Sequence, residues 1–498
     1  MRPLPPDLWV PGTLIDPLRR AARERPAAVA LVSGDVMLDY AAYAHAIDAL
    51  GARLIGEGAG GETVVILLRN SVAIALATQA VQAAGATVAA LNPDYSAREL
   101  APMIADSAPR VAIVHADLLD RVAGLLPSAC TVIAIGSDAA LVDELLAAPA
   151  PALPTPDPDS VAVLQFTGGT TGRAKGVELT HRAVATNIAQ REAVLPTRFG
   201  DERVLCMMPM FHSFASAMCL HLSAYAAGTL VILPRYRPDW VVGAIERHGI
   251  TRLPAGPTVF NGLLGFEGLT RERVSSLRCV YSGSAPLSAD TLARWEEKTE
   301  VPIFEGYGQS EAGPVLTYQG PNTPRKLGSV GPALPLTELR IVDGEIVARG
   351  PQIMRGYRGM PAETAEALRG GWLHTGDMGR IDEDGCVFVT DRKKDMAIVG
   401  GFNVYPREVD EVLAAHPQVD AAATVGTPDG YRGEVIVAFV VGRADAGTLA
   451  AHCAEHLVRY KHPADYVFLD ALPLTPVGKV DKQALKTMAA DRRRAHVA

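Results

Sequence analysis

Short apolar segments alternate with helical segments between residues 60 and 136, and this alternation strongly constrains how the chain can fold. A helix between two strands is typical of βαβ units, in which consecutive strands lie parallel. Ser96, followed by Glu99, fits a capping box at the start of a helix, and Gly85 fits the end of the preceding helix. The predicted strands are 64–68, 87–91, 111–115 and 132–135, and the predicted helices are 71–84 and 96–106. The segment therefore predicts an α/β core with a parallel sheet.

A second α/β series follows a proline-rich connection at 149–159, with strands predicted at 161–166, 204–208, 230–233 and 280–282 and helices at 183–190, 240–248 and 289–298. Beyond Asp377 the sequence becomes more charged, with a turn at 382–385 and a polar run at 391–395. The end of the chain predicts helices 406–415 and 448–458 and strands 421–425, 435–441 and 466–468. We predict a large N-terminal domain of α/β subdomains with parallel sheets at 1–391, and a small mobile α+β domain at 392–498.

The composition excludes several classes of function. The formal charge of −8 provides no basic field for nucleic acid. Six cysteines without a C-x-x-C spacing indicate neither a disulfide framework nor a zinc site. The amino terminus lacks the apolar core of a secretory signal, so we expect a cytoplasmic protein.

One long uncharged run, at 71–93, has the length of a membrane span. It contains Gln79 and Gln82, is rich in alanine, and is interrupted by Gly85 and Pro93. These residues favour a buried helix that leads into a strand. We therefore predict no transmembrane segment.

A loop rich in glycine and hydroxyl groups follows the predicted strand 161–166 and reads Thr167-Gly-Gly-Thr-Thr-Gly-Arg-Ala-Lys-Gly176. Glycine lets the backbone approach an anion closely, while hydroxyls and an ammonium group donate hydrogen bonds to it. An ordinary surface turn between a strand and a helix is the simplest alternative. A Walker-type loop is disfavoured because Lys175 is followed by Gly176 rather than by serine or threonine. The loop therefore predicts a polyphosphate site.

Four further segments carry candidate functional groups: Phe211-His-Ser-Phe214, Glu305-Gly-Tyr-Gly-Gln-Ser-Glu311, Trp372-Leu-His-Thr-Gly-Asp377 with Asp391-Arg-Lys-Lys-Asp395, and Thr475-Pro-Val-Gly-Lys479. Each segment alone also has a structural explanation, such as a buried histidine, a helix cap, a turn or a solvated charged face. In this order and together they resemble the adenylate-forming superfamily of acyl-CoA synthetases, aryl-CoA ligases, nonribosomal adenylation domains and beetle luciferases. The resemblance covers about residues 10 to 488 and is strongest to bacterial fatty acyl-CoA synthetases.

The resemblance implies a two-step reaction. A carboxylic acid, expected to be fatty or otherwise apolar, attacks the α-phosphate of Mg-ATP and forms acyl-AMP with release of pyrophosphate. Coenzyme A then displaces AMP and forms a thioester. The implied cofactors and partners are ATP, Mg²⁺, coenzyme A and a small-molecule acid, and a homodimer is left open. The alternatives are an acyl-AMP ligase that loads an acyl carrier protein and a non-catalytic nucleotide-binding homologue.

The resemblance also implies roles for individual residues. Lys479 matches the lysine that bridges carboxylate and α-phosphate, Thr170 and Glu311 match magnesium ligands, and His212 lies at the mouth of the acyl site. The predicted ATP/AMP-binding residues are Thr167, Gly168, Gly169, Thr170, Thr171, Gly172, Lys175, Glu305, Gly306, Tyr307, Gly308, Gln309, Ser310, Asp377, Arg392 and Lys479. The acyl pocket is assigned to His212, Phe214, Gly283 and Ser284.

Thioester formation requires Lys479 to leave the site, which the superfamily achieves by rotating the C-terminal domain. Lys394 aligns with the hinge, and Gly400 and Gly401 align with the coenzyme A tunnel. Ile398 departs from the pattern, because luciferases and plant ligases have a second lysine at that position.

Overall fold

The computed structural model describes residues 2–167, 174–393, 395–400, 402–429, 432–475 and 479–497. The strands are β1 Val29–Ser33, β2 Val36–Asp39, β3 Thr63–Leu67, β4 Thr87–Ala90, β5 Val111–His115, β6 Thr131–Ile135, β7 Val161–Thr167, β8 Lys175–Thr180, β9 Arg203–Cys206, β10 Thr229–Ile232, β11 Arg252–Ala255, β12 Cys279–Ser282, β13 Ile303–Tyr307, β14 Thr317–Tyr318, β15 Glu338–Val342, β16 Glu345–Arg349, β17 Gly356–Tyr357, β18 Leu373–Ile381, β19 Val387–Arg392, β20 Ala397–Val399, β21 Phe402–Val404, β22 Val419–Asp429, β23 Gly433–Gly442 and β24 Asp465–Phe468. The α-helices are α1 Asp16–Glu24, α2 Tyr40–Gly56, α3 Val72–Ala83, α4 Ala97–Ser107, α5 Leu119–Val122, α6 Asp138–Ala147, α7 His181–Glu192, α8 Ser213–Ala215, α9 Leu222–Tyr225, α10 Pro238–His248, α11 Pro257–Leu264, α12 Ala289–Thr299, α13 Pro361–Ala367, α14 Pro406–Ala414, α15 Ala446–His456 and α16 Lys482–Val497.

The first sheet contains the predicted βαβ segment and has the strand order β17-β8-β7-β4-β3-β5-β6. Strands β3 to β6 pair parallel, as predicted, and β7 joins them parallel to β4. The capping box is confirmed: the Ser96 side chain accepts from the Glu99 N–H, and Glu99 reaches back to the Ser96 N–H. Every residue of β3 is buried, because helices cover both faces of a parallel sheet.

The uncharged run at 71–93 forms α3 and β4, as predicted. All residues of α3 are buried, including Gln79 and Gln82, and the helix packs chiefly against α2. Among the described residues, no helix is both long enough and apolar enough to cross a bilayer.

The second sheet determines where the candidate site lies. Its strand order is β14-β13-β12-β11-β9-β10-β1-β2, and β9 to β13 run parallel. Parallel strands place their carboxyl ends at one edge of the sheet, where ligands of α/β proteins usually bind. The segments that leave this edge contain His212, Gly283 and Tyr307.

Two smaller sheets form the end of the chain. Strands β15, β16, β18 and β19 make an antiparallel sheet, in which Asp377 of β18 lies opposite Arg392 of β19. Strands β20 to β24 form the next sheet, against which α14 and α16 pack. This confirms the predicted α+β character. Strand β22 is longer than predicted because β23 pairs with it along its whole length.

Candidate active site

Strands β7 and β8 hold the two ends of the predicted phosphate loop. They form an antiparallel hairpin in which Thr167 pairs with Lys175, so the loop joins two strands rather than a strand and a helix. The Lys175 ammonium lies 4.8 Å from the centre of the Tyr357 ring, in a cation–π contact. Thr167 and Lys175 therefore flank the loop entrance. The predicted loop residues Gly168, Gly169, Thr170, Thr171 and Gly172 lie outside the described residues.

Glu311 is the predicted metal-binding carboxylate, and it lies in a 3₁₀ turn directly after β13. The Tyr357 hydroxyl donates a 3.0 Å hydrogen bond to Glu311 Oε1. Burial raises the pKa of Glu311, because a carboxylate loses hydration there, while the Tyr357 hydrogen bond opposes the shift. A divalent cation would compensate this buried negative charge, so the residue fits Mg²⁺. The described part of the chain contains no cluster of three or more His, Cys, Asp or Glu that could hold a metal.

Asp377 lies at the centre of the predicted nucleotide site. It is 4% exposed, accepts a 2.6 Å hydrogen bond from the Tyr307 hydroxyl at Oδ2, and lies 3.2 Å from Arg392 Nε at Oδ1. The β18–β19 register places the arginine there, and β13 delivers the tyrosine from another sheet. The structure therefore joins three predicted residues from distant parts of the sequence.

Lys479, near the end of the chain, lies close to Asp377 and Arg392. Burial and the positive charge of Arg392 together lower its pKa to about 8, although the charge of Asp377 opposes the shift. The Lys479 N–H donates a 3.2 Å hydrogen bond to Thr475 Oγ1. The ammonium therefore lies among the charged groups of the nucleotide site.

His212 lies close enough to Lys479 for the two side chains to interact electrostatically. Burial lowers its pKa to about 3, and the Lys479 charge contributes to the shift. Its Nδ1 accepts a 3.2 Å hydrogen bond from the Phe214 N–H. The ring is thus neutral at physiological pH, and Nε2 carries its proton. A neutral imidazole N–H here can donate to a carboxylate.

Two of the predicted acyl-pocket residues, Phe214 and Gly283, lie side by side. The Phe214 ring stacks on Tyr281 with centroids 5.8 Å apart, and a Cβ on Gly283 would lie 2.6 Å from Phe214 Cε2. Glycine is therefore required at 283 for the ring to take this position. Ser284 has a φ of +70°, a left-handed conformation that is uncommon for serine. Phe214, Gly283 and Tyr281 form one wall.

The segment after β13 supplies the remaining predicted nucleotide residues. Gly306 lies against the Tyr281 hydroxyl, and a Cβ on Gly308 would overlap the Pro314 carbonyl. Ser310 Oγ lies 3.3 Å from Ser213 Oγ, which joins this segment to the acyl wall, and Gln309 precedes the 3₁₀ turn. Burial raises the pKa of Glu305 to about 7, while the charge of Arg407 opposes the shift.

Two predicted residues of the hinge and tunnel, Lys394 and Gly401, lie outside the described residues. Gly400 has a φ of +57°, and its N–H donates a 2.8 Å hydrogen bond to the Arg432 carbonyl. The neighbouring residue Lys393 instead reveals a contact that the sequence did not predict. Its ammonium lies 3.3 Å from Glu345 Oε2, and Glu345 Oε1 accepts a 2.9 Å hydrogen bond from the Gly376 N–H.

Sequence reasoning therefore missed Tyr357 and Glu345. Neither belongs to a predicted motif, and only strand pairing brings them beside Glu311 and Asp377. The only local sequence signals that could have pointed to these two residues were weak. Tyr357 follows a glycine, and Glu345 follows a short turn.

The α/β fold and a site that combines a hairpin loop, a carboxylate, a tyrosine–aspartate pair and a terminal lysine define an adenylate-forming enzyme. The family model of AMP-binding enzymes matches residues 18–358, and the model of the AMP-binding enzyme C-terminal domain matches residues 408–479. The chain belongs to the AMP-binding enzyme family.

Three comparisons illustrate the similarity. A long-chain-fatty-acid–CoA ligase of Bacillus subtilis (strain 168) is 40% identical over a 354-residue alignment that covers 67% of this chain and 63% of that ligase. 4-Coumarate–CoA ligase 5 of Oryza sativa subsp. japonica is 35% identical over 86% of this chain and 85% of the ligase. The crystal structure of ATP-bound MatB from Rhodopseudomonas palustris has a TM-score of 0.91 at 30% identity and covers 96% of this chain and 99% of that one.

The chain is an AMP-forming acid–thiol ligase of the acyl-CoA synthetase type, which uses ATP, Mg²⁺ and coenzyme A. It activates a carboxylic acid as an acyl adenylate and then forms the coenzyme A thioester.

Proposed function

We propose that this ligase activates a fatty or otherwise apolar carboxylic acid, and that Lys479, His212 and the Asp377 group form its adenylation site. One observation carries the assignment: Lys479 lies within electrostatic reach of both Asp377 and His212. These residues belong to three separate sequence segments, and their convergence supports a single reaction centre. The relatives are named for a long-chain fatty acid and for 4-coumarate, both of which carry a large apolar body.

In the first step a carboxylate oxygen attacks the α-phosphorus and the bond to pyrophosphate breaks. Two anions approach each other, so the barrier falls when cations and oriented donors lie where negative charge accumulates. Lys479 supplies an ammonium between the carboxylate and the α-phosphate. His212 donates its Nε2 proton in a hydrogen bond that orients the carboxylate.

Asp377 binds the two ribose hydroxyls, because one carboxylate can accept from both. Tyr307 places its ring against adenine while its hydroxyl holds Asp377, and Arg392 contacts the ribose or the phosphates. The nucleotide site is completed by Glu305, Gly306, Gly308, Gln309 and Ser310. Thr167 and Lys175 lie at the phosphates.

Glu311 and Thr170 would hold Mg²⁺, with the remaining ligands from phosphate and water. When bound, the cation supplies charge neutralisation at the polyphosphate. The Tyr357 hydrogen bond favours the ionised form of Glu311 and fixes the position of its carboxylate.

In the second step the coenzyme A sulfur attacks the acyl carbon, the bond to AMP breaks, and the thiol proton passes to solvent. Lys479 must leave before the thiol enters. We place the domain boundary at 391/392, the hinge at Lys394 and the thiol path at Gly400 and Gly401. The end of β19 at Arg392, followed by a separate sheet, supports this boundary. Such closure steps often limit turnover.

Besides coenzyme A, an acyl carrier protein is the alternative acceptor. We also propose a cytoplasmic location, which the described cysteines support because none of them forms a disulfide. A homodimer remains a proposal.

A panel of carboxylic acids tests the proposed function. Pyrophosphate exchange into ATP measures adenylation with each acid, and thioester formation with coenzyme A or with holo carrier protein identifies the acceptor. We expect exchange with apolar acids and thioester only with coenzyme A. Absence of exchange with every acid would refute the function, and thioester on the carrier protein alone would refute the acceptor.

A further inference from the structure

Arg191 is a buried arginine outside every motif discussed above. It lies near the end of α7 and is 1% exposed. Its Nη1 donates to the Ala217 carbonyl at 3.2 Å and approaches Met218 Sδ at 3.0 Å, and its Nε donates to the Asn187 carbonyl at 3.3 Å. Its Nη2 is fully buried and has no hydrogen-bond partner in the described part of the chain.

No carboxylate neutralises this guanidinium directly. Among the described residues, no Asp or Glu oxygen lies within the 4 Å of an ion pair with Arg191. The adjacent Glu192 uses Oε2 to accept from the Thr197 N–H and hydroxyl at 2.9 and 2.7 Å, and its charge acts on Arg191 without forming a direct ion pair. Burying an unpaired cationic nitrogen is costly, and proteins normally retain one only where something compensates it.

The position of Arg191 connects it to the acyl pocket. Its partners Ala217 and Met218 belong to a π-helical turn, Ser216–His221, in the same segment as His212 and Phe214. Turns of this type are frequent at functional sites. Arg191 therefore contacts the same stretch of chain that supplies Phe214 to the pocket wall.

A series of aromatic rings leads from the pocket toward Arg191. Phe214 stacks on Tyr281, and Tyr281 packs on Tyr318 with centroids 4.5 Å apart. The Arg191 charge acts on both tyrosines and opposes the rise in pKa that burial causes. Neither phenol makes a hydrogen bond to the described residues. The Arg191 charge therefore lies close enough to the two neighbouring tyrosines to act on both.

We propose that the acid substrate carries an oxygen acceptor at the end remote from its reacting carboxylate, and that Arg191 binds this oxygen with help from Tyr281 and Tyr318. This inference rests on the ligase function proposed above. The substrate has an apolar body, which packs against Phe214, and a distal ketone, hydroxyl or second carboxylate. A plain hydrocarbon end would leave the guanidinium unpaired.

Matched acids test the proposal. 4-Oxocyclohexanepropanoate and cyclohexanepropanoate differ by one ketone, and octanedioate and octanoate differ by a second carboxylate. We expect kcat/KM to favour the oxygen-bearing member of at least one pair by about 10-fold to 100-fold, as one hydrogen bond to a charged group supplies. Equal or better use of the apolar member in both pairs would overturn the proposal. The pair that shows the preference tells whether the distal oxygen belongs to a ketone or to a carboxylate.

Variants of Arg191 and Tyr318 test whether these residues cause the preference for the oxygen-bearing acid. Arg191→Met should bring the ratio of kcat/KM for the oxygen-bearing acid to kcat/KM for its apolar partner close to one, because activity on the oxygen-bearing acid falls. Arg182→Met, an exposed arginine of the same helix, should keep it. Tyr318→Phe removes only a hydroxyl and should reduce the ratio several-fold, which decides the question if Arg191→Met does not fold. If Arg191→Met folds and its kcat/KM ratio is the same as in the wild type, the proposal is overturned. If Arg191→Met does not fold, an unchanged ratio in Tyr318→Phe overturns it. Absence of pyrophosphate exchange with all four acids and the wider panel would instead refute the ligase function.

Discussion

The Tyr307 hydroxyl donates a 2.6 Å hydrogen bond to Oδ2 of Asp377, a residue 70 positions further along the chain. The bond fixes the orientation of a carboxylate that lies between a tyrosine and the Arg392 guanidinium. A carboxylate with fixed orientation can accept from two vicinal hydroxyls without first paying the entropy of ordering. We therefore expect the proposed nucleotide site to present Asp377 in an orientation that suits ribose.

Lys479→Ala should slow the first half-reaction by on the order of 10²–10³, because it removes a charge that stabilises the transition state. The thioester step from preformed acyl-AMP should continue. Pyrophosphate exchange and single-turnover thioester formation measure the two steps separately. Lys482→Ala, three residues later, is the control and should retain exchange. Exchange at the wild-type rate in Lys479→Ala would disprove the assignment.

Adenylation should also depend on pH through Lys479, whose pKa is about 8. The ammonium is the active form and is present below this pKa, so kcat/KM for ATP should fall as pH rises through about 8. Arginine stays protonated throughout this range. Lys479→Arg should therefore lose the alkaline fall even if its overall rate is lower. A fall that persists unchanged in this variant would assign it to another group.

Glu345→Gln should reduce adenylation by about 10-fold, because the Glu345–Lys393 ion pair holds the strand end that carries Arg392. The thioester step should be affected less, since we expect this contact to break when the C-terminal domain rotates. Glu366→Gln is the control: it removes an exposed carboxylate that also contacts Arg369. Equal loss in both half-reactions would indicate a general folding defect instead.

Tyr357→Phe should raise the magnesium concentration needed for half-maximal exchange by several-fold. The change removes a hydrogen bond that favours the ionised form of Glu311, and burial alone raises the pKa of that carboxylate. Magnesium titrations of exchange at constant ATP measure the effect. Tyr225→Phe loses a hydrogen bond to the Trp9 carbonyl and should leave the titration unchanged. An identical magnesium dependence in Tyr357→Phe would argue against Glu311 as a ligand.

Stability should fall as pH drops from about 6.5 toward 4. Burial lowers the pKa of His181 to about 4 and those of His212 and His221 to about 3. In this window the unfolded chain binds protons that the folded chain does not. Each histidine then contributes a slope of about 1.4 kcal/mol per pH unit. His221→Gln should reduce the slope of unfolding free energy against pH by about that amount, as measured by urea unfolding. A slope that does not change would show that His221 is already protonated in the folded state.

The sequence by itself determined the local elements and the family. The period of apolar residues predicted β3 to β7 of the first sheet to within one or two residues, and Ser96 with Glu99 predicted a cap that forms, because both signals act over a few residues. Strands β1, β2, β8 and β15 to β17 were among those not predicted, since pairing with other strands stabilises them more than their own short sequences do.

Tertiary structure decided which side chains meet. The sequence motifs predicted Asp377, Arg392 and Tyr307 as site residues. The β18–β19 register and the position of β13 determine which of them are in contact. Tyr357, Glu345 and Arg191 belong to no motif, and each acquires its partner only when separate strands or helices pack together. Packing energy depends on surfaces that are far apart along the chain, so no local pattern could reveal these contacts.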